Sequence, residues 1–293
     1  MLRKRNWQKY NRQLIQRGSL SFLIDPKLLS PSKKGKLGRP KVFSDVLISA
    51  LFMVKIFFKL PYRALQGFAQ LIKPLVNILE QIPNYTSICR RVKRLQLPRL
   101  SNRRPQVVAI DSSGVKVCGE GEWKVKIHGK SKRRKWLKVH VCMDPVSGEI
   151  IAETTTTHTI HDGESLGVLL SKTPKSVKTV LGDGIFDGQR YRERIKRHGA
   201  RALVPPPRHA RITHRDPDRD DAVKLIRGLG GDTNARSLWG KLTGYSQRAL
   251  VENTFSRMKR MFGASLFSKD FDRQLVENHY RCLLLNKMNT RTY

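Results

Sequence analysis

The spacing of apolar residues changes character near residue 100. Before that point hydrophobic positions follow helical patterns, and from about residue 105 they fall into short β-branched runs and alternations. In the front, VLISALFMVKIFF (Val46 to Phe58) is apolar almost all round and reads as a buried helix, with Ser44 as its cap. Pro61 opens a second helix, PYRALQGFAQLI, and Pro74 a third. PNYTSICRRVKRL then places Thr86 or Ser87 at the head of a short basic helix. SPSKKGKLGRPK (Ser30 to Lys41) reads as a linker. Residues 1–100 are thus expected to be all-α.

The second region, 105–293, reads as an α/β domain with a mixed sheet and flanking helices. QVVAIDSSG is a short strand ending at Asp111, where Ser-Ser-Gly breaks the run. KWLKVHVCMDPVSGEIIAETTTT is a β-hairpin turning at Asp144 to Gly148. HDGESLGVLLSK is a helix capped by Asp162. SVKTVLGDG is a strand ending at Asp183, followed by a helix capped by Asp187 and closed by Gly199. ARALVPPP is a last strand, stopped by its prolines. A basic, interrupted stretch at about 208–244 has no clear strand and one short helix around Asp220 to Arg227. YSQRALVENTFSRMK (Tyr245 to Lys259) closes the domain as an amphipathic helix. At about 100° per residue, Tyr245, Arg248, Glu252 and Lys259 share an arc of roughly 60°, beside an apolar stripe of Val251, Phe255, Met258 and Phe262.

Charge narrows the choice of partners. The chain has 293 residues and a formal net charge of +35, from 58 Lys and Arg against 23 Asp and Glu. Such an excess repels itself unless a polyanion neutralises it, so nucleic acid is the expected partner. Short helices ending in a basic one fit a helix-turn-helix-like reader, with Arg90 and Arg91 on the basic helix and Arg39 in the hook-like GRPK. A plain helical bundle with a solvated basic face is the simpler alternative. The N-terminus lacks a signal-peptide core, and Val46 to Phe58 carries Lys55 and falls short of the roughly 18 residues a membrane span requires. Cys89, Cys118, Cys142 and Cys282 form no CxxC pair. A reducing cytoplasm is therefore expected, without a zinc site.

Three acids stand out against this background. Asp111 and Asp183 each end an apolar strand and precede small turn formers, the rim at which α/β proteins place their chemistry. Each alone is equally readable as a turn former. Glu252 lies among cations on the last helix, where it could be no more than one surface glutamate. Brought together, three carboxylates would repel one another and partly retain protons, a conflict that divalent cations remove. Mg²⁺ suits oxygen donors and leaves positions for phosphate, and two ions can serve an in-line phosphoryl displacement. Ser112 and Ser113 lack the GxSxG elbow of a serine nucleophile.

Tyr245, Arg248, Glu252 and Lys259 meet every spacing of Y-x2-R-x3-E-x6-K. With Asp111 in VVAIDSSG and Asp183 in VLGDGIFDG, the chain resembles the DDE transposases of bacterial insertion sequences, which have an RNase H-like core. The resemblance implies a nuclease and strand transferase acting on transposon ends. Asp111, Asp183 and Glu252 would hold two Mg²⁺ or Mn²⁺ ions, while Tyr245, Arg248 and Lys259 would contact DNA near the scissile phosphate. The helical front would recognise terminal inverted repeats, a dimer or larger assembly would pair two ends, and the protein would work in the bacterial cytoplasm at the nucleoid. Some relatives carry a β-rich insertion where this chain has its irregular 208–244, which leaves Trp239 as a candidate for base stacking. His140, His158 and His161 are read as core or surface residues. A DNA-binding regulator without catalysis and an RNase H-like junction-resolving nuclease are the competing readings.

Overall fold

The computed structural model describes residues 7–8, 11–12, 15, 43–75, 81–117 and 136–289. Arg39 and the Ser30 to Lys41 linker lie outside these residues. The chain forms two compact units, one of residues 1–98 with 266–293, the other of residues 99–265.

The first unit includes α1 (Asp45–Phe57), α2 (Tyr62–Ile72) and α3 (Tyr85–Val92). Ser44 caps α1 as expected, its hydroxyl accepting from the Leu47 amide at 3.0 Å. Burial runs around α1 and includes Lys55, whose ammonium sits 4.9 Å from the Tyr62 ring centroid and 5.3 Å from that of Phe267. Pro61 stands at the N-cap of α2. Lys73–Leu75 continues as a 3₁₀ turn. The cap of α3 is Asn84 rather than Thr86 or Ser87, accepting from the Thr86 amide at 2.9 Å.

In the second unit, β1 (Val107–Lys116), β2 (Trp136–Met143), β3 (Ile150–Thr157), β4 (Thr179–Leu181) and β5 (Arg201–Leu203) form one sheet in the order β3-β2-β1-β4-β5. The first three strands pair antiparallel, while β1–β4 and β4–β5 are parallel. This is the mixed, helix-flanked sheet that the sequence predicts. The β2–β3 hairpin turns at the expected place, with Gly148 at φ 72°.

α4 (Asp162–Lys172) and α5 (Gln189–His198) cover one face of the sheet. Val108, Ile110, Cys142, Leu166, Leu169 and Ile195 share a core there. Gly199 closes α5 at φ 94°, but neither expected aspartate caps its helix. His161 precedes α4 and Gly188 precedes α5, each without a side-chain cap. After β5 come α6 (Pro217–Gly228) and α7 (Thr233–Thr243), where only one helix was expected. Asp232 caps α7 through the Ala235 amide at 2.7 Å, so a cap–helix signal lies just beyond the glycine run Gly228 to Gly231. Ala222, Ile226, Ala235 and Trp239 bury each other between the two helices.

The segment expected as one amphipathic helix is a 3₁₀ turn, Tyr245–Ala249, followed by α8 (Leu250–Phe262). Its apolar stripe is buried as read, with Val251, Phe255, Met258 and Phe262 all inside. The last described helix, α9 (Phe271–Asn289), groups with the front helices rather than with the sheet. There Phe52 and Tyr280 meet edge to face at 5.4 Å, and the Tyr280 hydroxyl donates to Ser49 at 2.7 Å. Among the described residues no helix is long and apolar enough to cross a membrane.

Candidate active site at the sheet rim

Parallel register brings the two aspartates together. Ala109 on β1 faces Leu181 on β4, the last registered pair between these strands. Two residues further along each chain stand Asp111 and Asp183, at the same level and with the same parity, so both project to one face of the sheet. Asp111 does not end its strand, because β1 continues to Lys116 against β2, with Asp111 opposite Val141. What ends there is the neighbour, β4, and Asp111 thus lies at the rim on that side only.

Asp183 accepts from the Ile185 amide at 3.1 Å and starts the 3₁₀ turn Gly184–Asp187. Asp111 accepts from the Ser112 amide at 2.9 Å. α8 packs on β1 over the face opposite α4 and α5, and Lys259 donates to Ser113 Oγ at 2.7 Å. Since Ser113 shares Asp111's parity, Lys259 reaches the same face as the aspartates.

Arg248 ties this face to Glu252. Its Nη2 lies 2.9 Å from Asp111 Oδ2 and its Nη1 is 2.7 Å from Glu252 Oε1. The i, i+4 contact survives although Arg248 sits on the 3₁₀ turn and Glu252 on α8. Arg248 Nε is buried and has no hydrogen-bond partner among the described residues, leaving one donor of the guanidinium uncommitted. The Glu252 carboxylate is 63% exposed, so it is held from one side and open to water on the other.

The electrostatics mark the cluster as short of positive charge. Burial raises the Asp111 carboxyl above its ordinary range, and the charges of Asp183 and Glu252 raise it further. The Ser112 amide and Arg248 counteract this only in part. Asp183 is likewise raised, first by burial and then by Asp162, against the Ile185 amide and Arg248. The Tyr245 phenol is pushed up by burial and feels Arg248 and all three acids. Tyr245 leans on Trp239 at 5.1 Å, and Trp239 is only 2% exposed. That tryptophan therefore supports Tyr245 from the core and offers no open face for a base in this conformation.

The donor set suits a hard divalent cation: carboxylate oxygens, half-buried, with more negative charge than one guanidinium balances. Among the described residues no three His, Cys, Asp or Glu side chains already converge at ligand distance, since Glu252 is turned to Arg248.

Several neighbours escaped the sequence reading. Asp162, expected as a helix cap, accepts from Ser112 Oγ at 2.7 Å and pairs with Lys138 at 3.0 Å on the other face of β1. Burial pushes its pKa up, but these two partners bring it below the ordinary value. Asp187 holds two guanidiniums instead of a helix end, Arg192 at 2.9 Å and Arg219 at 3.0 Å. No local signal separates such roles from capping, because the partners are 32 residues away in the case of Arg219. His140 is buried against Thr156 at 2.8 Å, whereas His158 and His161 are exposed. In the first unit Arg90 is exposed, while Arg91 is bonded to Asp45 and to the Phe43 carbonyl.

A family described as Transposase DDE domain matches residues 102–287, and a second of the same description matches 15–120. A crystal structure of a pre-cleavage Mos1 transpososome is similar at 10% identity over 89% of this chain and 81% of that one. Its TM-score of 0.24 is too low to carry an argument.

Proposed function

The chain belongs to the DDE transposases, the matched domain covering residues 102–287, and from that membership we propose how its own residues cut and join DNA. Asp111, Asp183 and Glu252 are the catalytic acids and hold two Mg²⁺ or Mn²⁺ ions. When bound, these ions would polarise the scissile phosphate, activate the attacking oxygen and stabilise the leaving one. The observation that carries the reading is the parallel register that levels Asp111 with Asp183, together with Arg248 reaching from Asp111 to Glu252.

Arg248 has two roles in this account. Without DNA it neutralises Asp111 and Glu252 across the rim. As Glu252 turns inward, the guanidinium is released toward a phosphate, for which a planar fork of donors is well suited. Lys259 and Tyr245 line the same face and contact DNA beside the scissile bond. The sheet face beneath α4 and α5 is filled with apolar side chains, so the scissile phosphate approaches the acids from the α8 side. Water attacks the phosphodiester at the end of a terminal inverted repeat, breaking the P–O3′ bond to leave a 3′-OH on the element and a 5′-phosphate on the flank. That hydroxyl then attacks a target phosphodiester at the same three acids, forming a new P–O bond as the target strand's 3′-OH leaves.

The helical front, residues 1–100, reads the inverted repeats, with Arg90 reaching DNA and Arg91 fixing its helix from behind. Arg39 contributes from the linker. Two copies on DNA pair two ends. A duplex carrying the element's own ends, incubated with the full chain and Mg²⁺, tests this. End-specific nicking followed by strand transfer is expected, with Asp111→Ala, Asp183→Ala and Glu252→Ala each binding DNA but failing to cut. Binding without any nicking by the unaltered chain would make it a regulator, and nicking without end preference a general nuclease.

A further inference from the structure

Beyond the three acids, the second unit carries a groove of roughly 1220 Å³ that the catalytic account does not use. It begins at Gly184, the residue after Asp183, and is walled by α5, the end of β5, the prolines 205–207 and the start of α6. Lys196, Arg201, Arg208, Arg215 and Arg236 all line it.

Its charge is not cancelled from within. Of the four acids in the lining, Asp187 and Asp216 are engaged by Arg192 and Arg219, which are themselves buried or nearly so. Glu193 lies 3.8 Å from Arg197 and accepts from Gln189, leaving Asp218 exposed against five cations. Lys196 and Arg208 are exposed and make no ion pair among the described residues. Arg215 has only the neutral Gln189 at 3.3 Å, and Arg201 only Thr179 Oγ1, also at 3.3 Å. Arg236 is half-buried, and its Nε is fully buried with no hydrogen-bond partner among the described residues. An unsatisfied buried guanidinium nitrogen carries a desolvation cost that an arriving acceptor would remove.

The shape narrows the ligand. At that volume the groove exceeds the 300–1,000 Å³ typical of small-molecule clefts. Its cations are spread over α5, β5, a loop and α7 instead of converging on one point. Repeated anionic groups at intervals match such a row, and a single phosphate does not. We propose that this groove binds the sugar–phosphate backbone of DNA leading to or from the active site. The proposal rests on the reading of the protein as a DNA-cutting enzyme.

The test uses the full chain and a long mixed-sequence duplex, with the dissociation constant followed against salt. The variant Lys196→Gln/Arg208→Gln/Arg215→Gln changes three side chains at exposed positions outside the catalytic cluster, and Arg236→Met is measured separately, with circular dichroism checking both folds. Loss of three phosphate contacts should flatten the log–log salt slope by about three units and weaken binding roughly tenfold or more at low salt. At protein concentrations that saturate the duplex, metal-dependent nicking by the triple variant should persist. An unchanged slope and affinity in the triple variant, with the parent binding and nicking DNA, overturns the groove assignment alone. A parent that neither binds nor nicks DNA overturns the functional reading first, and the groove's role with it.

Discussion

The two compact units treat buried charge in opposite ways. In the helical unit Glu277 is fully buried on α9 yet accepts from the Phe267 and Ser268 amides and from Arg281 at 2.7 Å. Two amides and a guanidinium thus meet the Glu277 carboxylate, and these contacts join α9 to the segment before it. In the sheet unit Asp111 and Asp183 share one face with Glu252, and a single arginine spans only part of the cluster. A charge satisfied on all sides holds a fold together, while one left short is poised to take a ligand.

The largest effect expected from this contrast is on chemistry. Asp111→Asn or Asp183→Asn should abolish Mg²⁺-dependent nicking while leaving a folded protein, as gel assays and circular dichroism would record. Retained nicking in either variant would place the catalytic acids elsewhere. Next comes Glu277→Ala, which strands Arg281 in the core and should destabilise the fold by about 3–5 kcal/mol in denaturant unfolding. The double replacement Glu277→Gln/Arg281→Met should recover part of that loss. Recovery of nothing would mean that the two backbone amides, not the ion pair, carry the cluster.

Two smaller effects follow the pKa directions. Asp111 and Asp183 are raised in the folded state, so they hold protons more tightly folded than unfolded. Their contribution to stability is therefore fully present below the ordinary carboxylate range and is lost as pH rises through the folded values. Metal-free protein should lose melting temperature over that window, and Asp111→Asn should flatten the loss. Nicking should show the opposite dependence, with an acid limb above the ordinary carboxylate range. Because Arg248 lowers Asp111, Arg248→Ala should move that limb to still higher pH and reduce the salt slope of DNA binding by about one unit. Smallest of all, Arg91→Ala should cost stability of about 1 kcal/mol or less through its partly exposed pair with Asp45. Arg90→Ala should change DNA affinity and leave stability alone.

What could be read from the sequence was what depends on near neighbours. Ser44, Gly148 and Gly199 act within a few residues of themselves, and the stripe on α8 repeats at helical spacing. Asp111, Asp183 and Glu252 stand out by residue type and spacing, yet the two aspartates are levelled by the β1–β4 register and Glu252 is tied to Asp111 through Arg248. Ser112 and Ser113 read as a strand stop, but the strand continues because it stays paired with β2, Ser112 opposite His140 and Ser113 opposite Val139, while their hydroxyls meet Asp162 and Lys259, 50 and 146 residues away. The helix was expected to run unbroken from Tyr245, yet α8 starts only at Leu250, and a 3₁₀ turn carries Tyr245 and Arg248. No helix was expected at α9, where Glu277, Asn278 and Arg281 are buried along with the leucines and burial marks no single apolar stripe.

Metal binding read by thermal unfolding is the most direct test of the rim. A ligand bound only by the folded state at 100 times its dissociation constant adds about 2.7 kcal/mol of stability. Above the pH at which both aspartates ionise, Mn²⁺ should raise the melting temperature of the unaltered chain, and this gain should vanish in Asp111→Asn and Asp183→Asn and shrink in Glu252→Gln. A parent chain indifferent to Mn²⁺, or an Asp111→Asn variant stabilised as much as the parent, would contradict the assignment of these acids as one metal site.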